Sequence, residues 1–454
     1  MNKVYIDRTP TTEPESFASQ SGTGGPYPGP KTLIPDPLGV EFLLQCLSVS
    51  REPTVDSSQL TAHSLQPAAH RQEPMTDWDE VVDMAARHGL TPLLYRRLKE
   101  NGSRASVPAD VRKRLRRAYF ASAFRNMFLY GELRKVLQRL RSASIPVIVL
   151  KGAYLAEAVY GDAALRPMCD ADLMVPRAEL ARAHAILLDM GRGHPLFEDI
   201  ESYCRKGPHL PQVVIHDLAV EIHWTIASPT GPVRVDAAGL WDRARPATIA
   251  GVEVLALCPE DLLLHTCLHA CYQHGLDMGL RSFCDIAETM HRFRDEIDWT
   301  HVVHSAREWG ATRYVGLTLH LARSMMGAEL PDGVLEQLVP GGIDRRILET
   351  ARQSVLAQTD YGLSVPLFRL RGAKSLSDMA KLSWGRVFLS RGEMAAVYPA
   401  SRESKHLWFY YALRVKDVIR NYWSHTVRRG RLMMRSRGRD RNASLFNWLD
   451  SGKS

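Results

Sequence analysis

The sequence predicts an α+β protein, and three observations carry that prediction. Strand signals gather in the middle of the chain: the apolar run Val147 to Leu150, the segment Asp170 to Val175, and two runs around Asp217 that read as a hairpin, QVVIH (212–216) and AVEIHWT (219–225). Helical periodicity dominates both flanks, before residue 145 and from Pro259 onward. No internal repeat is present, and the strand signals stay within one central region that also holds helices, Ala153 to Tyr160 and about Arg177 to Met190.

The chain has 454 residues, enough for roughly two or three hydrophobic cores. No apolar run is long enough to span a membrane; LLLHTCLHACY is interrupted by His265 and His269. The first residues, MNKVYIDRTPTTEPES, lack the apolar core of a signal peptide. Seven irregularly spaced cysteines do not make a disulfide framework. A reduced, cytoplasmic setting is expected. Lysine and arginine number 58 against 50 acids, a net charge of +8. Residues 414–441 carry ten Arg or Lys and two acids, Asp417 and Asp440, so this stretch holds the whole excess. The near-neutral body does not indicate general nucleic-acid binding.

Taken in order, residues 1–38 are rich in Thr, Ser, Gly and Pro and are expected to be disordered. An N-terminal helical region follows, 39–144. Val40 to Leu47 opens it, and 50–74 reads as a polar loop. Thr76 or Asp77 then caps a helix, with Glu80 placed for a capping box and Gly89 as its stop. Pro92 starts the next helix. From Pro108 a long helix shows one apolar stripe through Leu115, Tyr119, Ala123, Met127, Tyr130, Leu133, Leu137 and Leu140. Its arginines (Arg112, Arg114, Arg116, Arg117, Arg125) read as a solvated face, with RNA binding as the alternative. Residues 145–257 hold the strands, 258–435 are helical, and 436–454 are expected to be a loose, basic tail.

Chemistry concentrates between Ile145 and Val175. A Lys151–Gly152 turn opens a helix, whose free N–H groups and dipole favour an anion. Asp170 and Asp172 are two apart on a strand and therefore share a face, a pattern suited to hard divalent cations. Glu221 and His223 share a face of a later strand. His265, Cys267, His269, Cys271 and His274 suggest zinc, but the His and Cys pairs face different directions and no second ligand pair lies at a usual spacing. Buried helix packing explains them better.

Four stretches in order, WDEVVDMAARHGLTPLLYRRL, IPVIVLKGAYLAEAVYGDAALRPMCDADLMVP, VEIHW and PEDLLLHTCLHACYQHG with RSFCDIAE, resemble the uncharacterised nucleotidyltransferase family, a branch of the DNA polymerase beta-like nucleotidyltransferase superfamily. The resemblance covers roughly residues 40–425. It implies a small mixed sheet flanked by helices, making 145–257 a nucleotidyltransferase-like catalytic domain with a helical domain beside it. Asp170 and Asp172 match the superfamily's metal-binding acid pair, Glu221 its third carboxylate, and Gly152 its glycine at the helix start. Where the superfamily usually shows Gly-Ser, this chain has Lys151-Gly152-Ala153, with no serine hydroxyl, and the gap from Gly152 to Asp170 is long.

The implied reaction moves a nucleoside monophosphate from a nucleoside triphosphate such as ATP to an acceptor hydroxyl, with Mg²⁺ or Mn²⁺ as cofactor. Asp170, Asp172 and Glu221 would be the metal ligands, with Glu221 also helping to remove the hydroxyl proton. Lys151, Gly152 and Arg166 would bind nucleotide phosphates, with a structural pairing to Asp170 or Asp172 as the alternative for Arg166. His223, His269 and Asp285 are acceptor-side candidates; hydrogen bonding to a neighbour is the other reading of His223. The acceptor stays open among a small molecule, a saccharide, a peptide, a protein and tRNA. The alternative function is an inactive nucleotide-binding or scaffold protein on the same fold. The basic aromatic stretch 405–441 is expected to pack on the body, with an anionic membrane and then RNA as its candidate peripheral partners.

Overall fold

The structure, a computed structural model, describes residues 37–49, 77–100, 107–196, 199–357, 408–416 and 438–451, together with Met394. The expected N-terminal disorder, the polar loop 50–74 and most of the 405–441 stretch lie outside the described residues. Within that last stretch, residues 408–416 are helical, with Trp408 and Phe409 exposed.

Six strands form one mixed sheet: β1 (Ile148–Val149), β2 (Asp170–Met174), β3 (Val213–Ile215), β4 (Leu218–His223), β5 (Arg245–Ile249) and β6 (Val252–Ala256). Their order is β3-β4-β2-β1-β6-β5. The inner strand β2 runs antiparallel to β1 and parallel to β4, and β1 runs parallel to β6. Ala171, Leu173 and Val175 on one face and Met174 on the other are fully buried, as expected of a strand covered on both sides.

The hairpin β5–β6 is absent from the sequence reading. Its edge strand exposes Arg245 and carries Pro246, which an edge tolerates and which hides the strand pattern. The legible signal is the two-residue turn Ala250–Gly251, with φ of 52° and 71°, between apolar residues. A Cβ at Gly251 would also lie 3.1 Å from the Arg134 guanidinium.

Ahead of the sheet lie α1 (Pro37–Leu47), α2 (Trp78–Arg87), α3 (Thr91–Glu100) and α4 (Ala109–Ser142). The Asp77 carboxylate caps α2 by accepting from the amides of Asp79 and Glu80 at 3.0 and 3.2 Å. The expected stripe of α4 needs a correction. The ends bury Leu115, Leu133, Leu137 and Leu140, but the middle buries Ser122 and Asn126 and leaves Met127 exposed. The Asn126 amide nitrogen donates to the carbonyls of Ala163 and Arg166 at 2.6 and 2.8 Å, and its oxygen accepts from the Met168 amide at 3.1 Å. Satisfying those buried backbone groups turns Asn126 inward and the neighbouring apolar residues outward.

Inside the sheet region stand α5 (Lys151–Tyr154), continuing as a π-turn at Leu155–Val159, and α6 (Leu180–Met190), α7 (Ile200–Lys206) and α8 (Ala237–Asp242). After the sheet come α9 (Pro259–Leu268), with a second π-turn at His269–Gln273, α10 (Leu280–Arg292), α11 (Trp299–Glu308), α12 (Thr312–Met326), α13 (Val334–Leu338) and α14 (Arg345–Ala357). The expected loose tail is instead a helix, Gly438–Asp450. It buries Leu445 and Leu449, and the Tyr314 hydroxyl donates to Asp450 at 2.6 Å. Two apolar residues four apart are a weak signal in a basic segment, and the surface of α14 gives the helix something to cover. All seven cysteines are free thiols.

His88 joins the N-terminal helices to α10. Its ring Nδ1 accepts from the Leu280 amide at 3.2 Å, filling the role of a cap at the start of that helix. Burial and, secondarily, Arg87 push its pKa down from 6.5 to about 4. The unfolded chain therefore binds this proton more tightly, so the stability gained is present above about pH 6.5 and is lost as pH falls toward 4. His88→Gln keeps an acceptor without a proton to gain. The stability lost between about pH 7 and pH 5 is expected to shrink by about 2 kcal/mol in this variant, read by urea unfolding at both pH values. Parallel pH profiles for the two proteins would show that His88 does not carry the effect.

Candidate active site

The parallel register of β2 and β4 assembles the site. Asp172 pairs with Glu221 and Met174 with His223, so Asp172, Glu221 and His223 stand on one face across two strands. His223 Nε2 lies 2.9 Å from Asp172 Oδ1 and 3.6 Å from Glu221 Oε2. Lys151 Nζ, at the start of α5, lies 3.2 Å from Asp172 Oδ2. The turn that delivers Lys151 is held by the Leu150 amide, which donates to the Asp172 carbonyl at 2.9 Å. His209, outside the sequence reading, packs against His223 with ring centroids 5.0 Å apart and planes tilted by 45°, and has Nδ1 3.8 Å from Glu221 Oε2.

Electrostatics follow from this packing. Burial works against the Asp172 carboxylate, yet the Lys151 charge and the His223 hydrogen bond hold its pKa well below the usual range. Burial opposes the charged form of His223, but its hydrogen bonds to Asp172 and Glu221 raise its pKa. Glu221 is lowered: burial opposes ionisation, and His223 and His209 outweigh it. Asp170, exposed at the first position of β2, is raised by partial desolvation and then by the Asp172 charge.

Asp172, Glu221 and His223 each offer a ligand atom within 4.8 Å of the others, a group that fits a divalent cation. Asp170 stands outside that group but on the same strand face. Among the described residues, His223 Nδ1 is buried without a hydrogen-bond partner. Gly152 sits against Asp170: a Cβ there would lie 3.7 Å from the Asp170 carbonyl oxygen and 3.4 Å from Arg166 Nη1. Those are close but tolerable distances, so sterics alone do not demand glycine.

Arg166 pairs with neither Asp170 nor Asp172. Its Nε and Nη2 each donate to the Asp285 carboxylate at 2.9 Å, the Tyr160 hydroxyl donates to the same group at 2.9 Å, and Nη1 reaches the Gly152 carbonyl at 3.4 Å. Arg166 and Asp285 are thus a buried bidentate pair that ties the Gly152 turn to α10. Sequence spacing could not reveal a partner 119 residues away.

His265, His269 and His274 line the other side. Burial, followed by the Lys151 charge, pushes His265 down to about 3 and His274 to about 4, and holds His269 well below its usual value. His269 and His274 rings are 4.4 Å apart. The π-turn at 269–273 brings them around toward Lys151; regular helical spacing does not anticipate it. Among the described residues, Cys267 and Cys271 join no convergent metal-ligand group and are buried in the core.

A family model described as an uncharacterised nucleotidyltransferase matches residues 74–327. No curated protein matches the chain. The solution structure of the antibiotic-resistance factor ANT(2'')-Ia is similar to it at 16% identity, over 43% of this chain and 97% of that one, with a TM-score of 0.30. So low a score supports no inference about the site.

Proposed function

The chain belongs to the uncharacterised nucleotidyltransferase family, and from that premise we propose that it moves a nucleoside monophosphate from a nucleoside triphosphate to an acceptor hydroxyl with the help of a divalent cation. The observation that supports this most is the convergence of Asp172, Glu221 and His223, with Lys151 on the far oxygen of Asp172.

In this reading Asp172, Glu221 and His223, with Asp170 beside them, would hold the cation. When bound, a divalent cation supplies positive charge at the reacting phosphate oxygens and acidifies the acceptor hydroxyl. Lys151, relieved of neutralising Asp172, turns its ammonium to the phosphates in place of the serine hydroxyl that the Lys-Gly-Ala turn lacks. Glu221, partly exposed and kept ionised, orients the acceptor hydroxyl and takes its proton. Arg166 and Asp285 hold the Gly152 turn in place. His269 and His274, desolvated and neutral, wall the acceptor side.

An imidazole among the donors favours Mn²⁺ over Mg²⁺, which prefers an all-oxygen shell. Calorimetric titration is expected to show Mn²⁺ binding about ten-fold or more tightly than Mg²⁺, with His223→Ala narrowing the gap. Equal affinities in both proteins would remove His223 from the ligand set.

The test of transfer is incubation with α-labelled triphosphates and a cell extract, with Asp170→Ala/Asp172→Ala as control. Label on an acceptor that persists in the control would overturn the site. The second reading, an inactive nucleotide-binding or scaffold protein, draws on the Lys151–Asp172 ion pair, which balances the buried acid without a cation. It predicts triphosphate binding with no labelled product.

A further inference from the structure

Helix α4 presents a face that the described residues leave uncovered. Phe120, Phe124, Met127 and Phe128 are 54%, 71%, 66% and 43% exposed. At 100° per residue they share one stripe, opposite the buried Leu115 and Leu133. Together they expose about 400 Å² of apolar surface, in the range where a patch on a monomer marks an interaction site. Burying Asn126 while exposing three phenylalanines reverses the usual preference, so loop support alone does not explain why these outward positions are aromatic.

Charge frames the stripe. Helix α4 carries ten Arg or Lys against Asp110 and Glu132, and Glu132 is buried. Lys113 and Arg117 lie on the same angular face as Phe124, and the Arg116 guanidinium sits 5.5 Å over the Phe120 ring. Lys113, Arg116 and Arg117 are exposed and have no carboxylate within ion-pairing distance among the described residues.

We propose that this face of α4 docks on an anionic lipid membrane, with Phe120, Phe124, Met127 and Phe128 entering the interface and Lys113, Arg116 and Arg117 meeting the headgroups. A second copy would bring basic surface against basic surface. The stripe stands on the convex side of a single helix rather than in a groove, a shape that suits a bilayer better than a peptide. Apolar side chains shouldered by Lys and Arg are the pattern of helices that lie in the lipid interface.

The test is co-sedimentation of the full-length protein with phosphatidylcholine vesicles, alone or with about one-third phosphatidylglycerol. Binding is expected with the anionic vesicles, weakening with salt, and not with phosphatidylcholine alone. Phe120→Ser/Phe124→Ser/Phe128→Ser is expected to abolish it, and each of Lys113→Glu, Arg116→Glu and Arg117→Glu to weaken it about five-fold or more. These positions are exposed, and unchanged thermal melts would show that the variants fold. The proposal is overturned by no difference between the two vesicle types, by binding that survives the phenylalanine variant, or by a concentration-dependent dimer that the same variant dissolves. The last gives the face to a second copy. Preferential binding of a single-stranded RNA oligomer through the same residues would give it to nucleic acid and likewise overturn the lipid reading.

Discussion

Asp172→Asn is expected to abolish divalent-cation binding and to cut nucleotidyl transfer by about three orders of magnitude, while costing the fold only about 1–2 kcal/mol. The two effects separate because the carboxylate has two kinds of partner. Toward the fold, the substituted amide would still accept hydrogen bonds, Lys151 is partly exposed and can turn its ammonium to water, and His223 can give up its proton. Toward a cation, the neutral amide loses the charge of a residue that contacts both Lys151 and His223. Calorimetric Mn²⁺ titration and urea unfolding of the same preparation read the two effects independently. A variant that binds Mn²⁺ with unchanged affinity would exclude Asp172 as a ligand, whatever its activity. A loss of stability near 4 kcal/mol would instead make the residue chiefly structural.

The second large effect concerns the Arg166–Asp285 pair. Asp285→Ala is expected to destabilise by about 3–5 kcal/mol, because it strands a guanidinium that is buried and cannot be neutralised. Arg166→Met leaves a carboxylate that can take up a proton and still keeps the Tyr160 hydroxyl, so its cost should be smaller, about 2–3 kcal/mol. The double variant Arg166→Met/Asp285→Leu should recover much of the loss, giving a coupling of about 2 kcal/mol or more in a double-mutant cycle. Single variants that leave stability intact but raise the KM for triphosphate would return Arg166 to the phosphate-binding role of the sequence reading.

The line between what sequence shows and what it hides runs through individual residues. The α+β class was legible because hydrophobic period is local: two residues for the runs at 170–175 and 212–225, three to four for the helical flanks. The family was legible because its pieces, from the LKG turn to VEIHW, keep their residue types and order. Hairpin β5–β6 was hidden by edge-strand composition, and the last helix by a partner surface that is distant in sequence. In α4 the periodic stripe was read correctly at both ends and wrongly at Met127, where three backbone groups of a distant loop hold Asn126 inward.

The site divides in the same way. Sequence alone could put Asp170 and Asp172 on one strand face, and likewise Glu221 and His223, because alternation along a strand is a property of the backbone itself. It could not choose the register that sets Asp172 beside Glu221, nor bring Lys151 back onto Asp172, nor find Asp285 for Arg166. Those are contacts between segments 21 to 119 residues apart, decided by how the sheet pairs and which buried charges must find a partner. The residues proposed to carry chemistry were therefore visible in the chain, and which of them meet one another was decided only by folding.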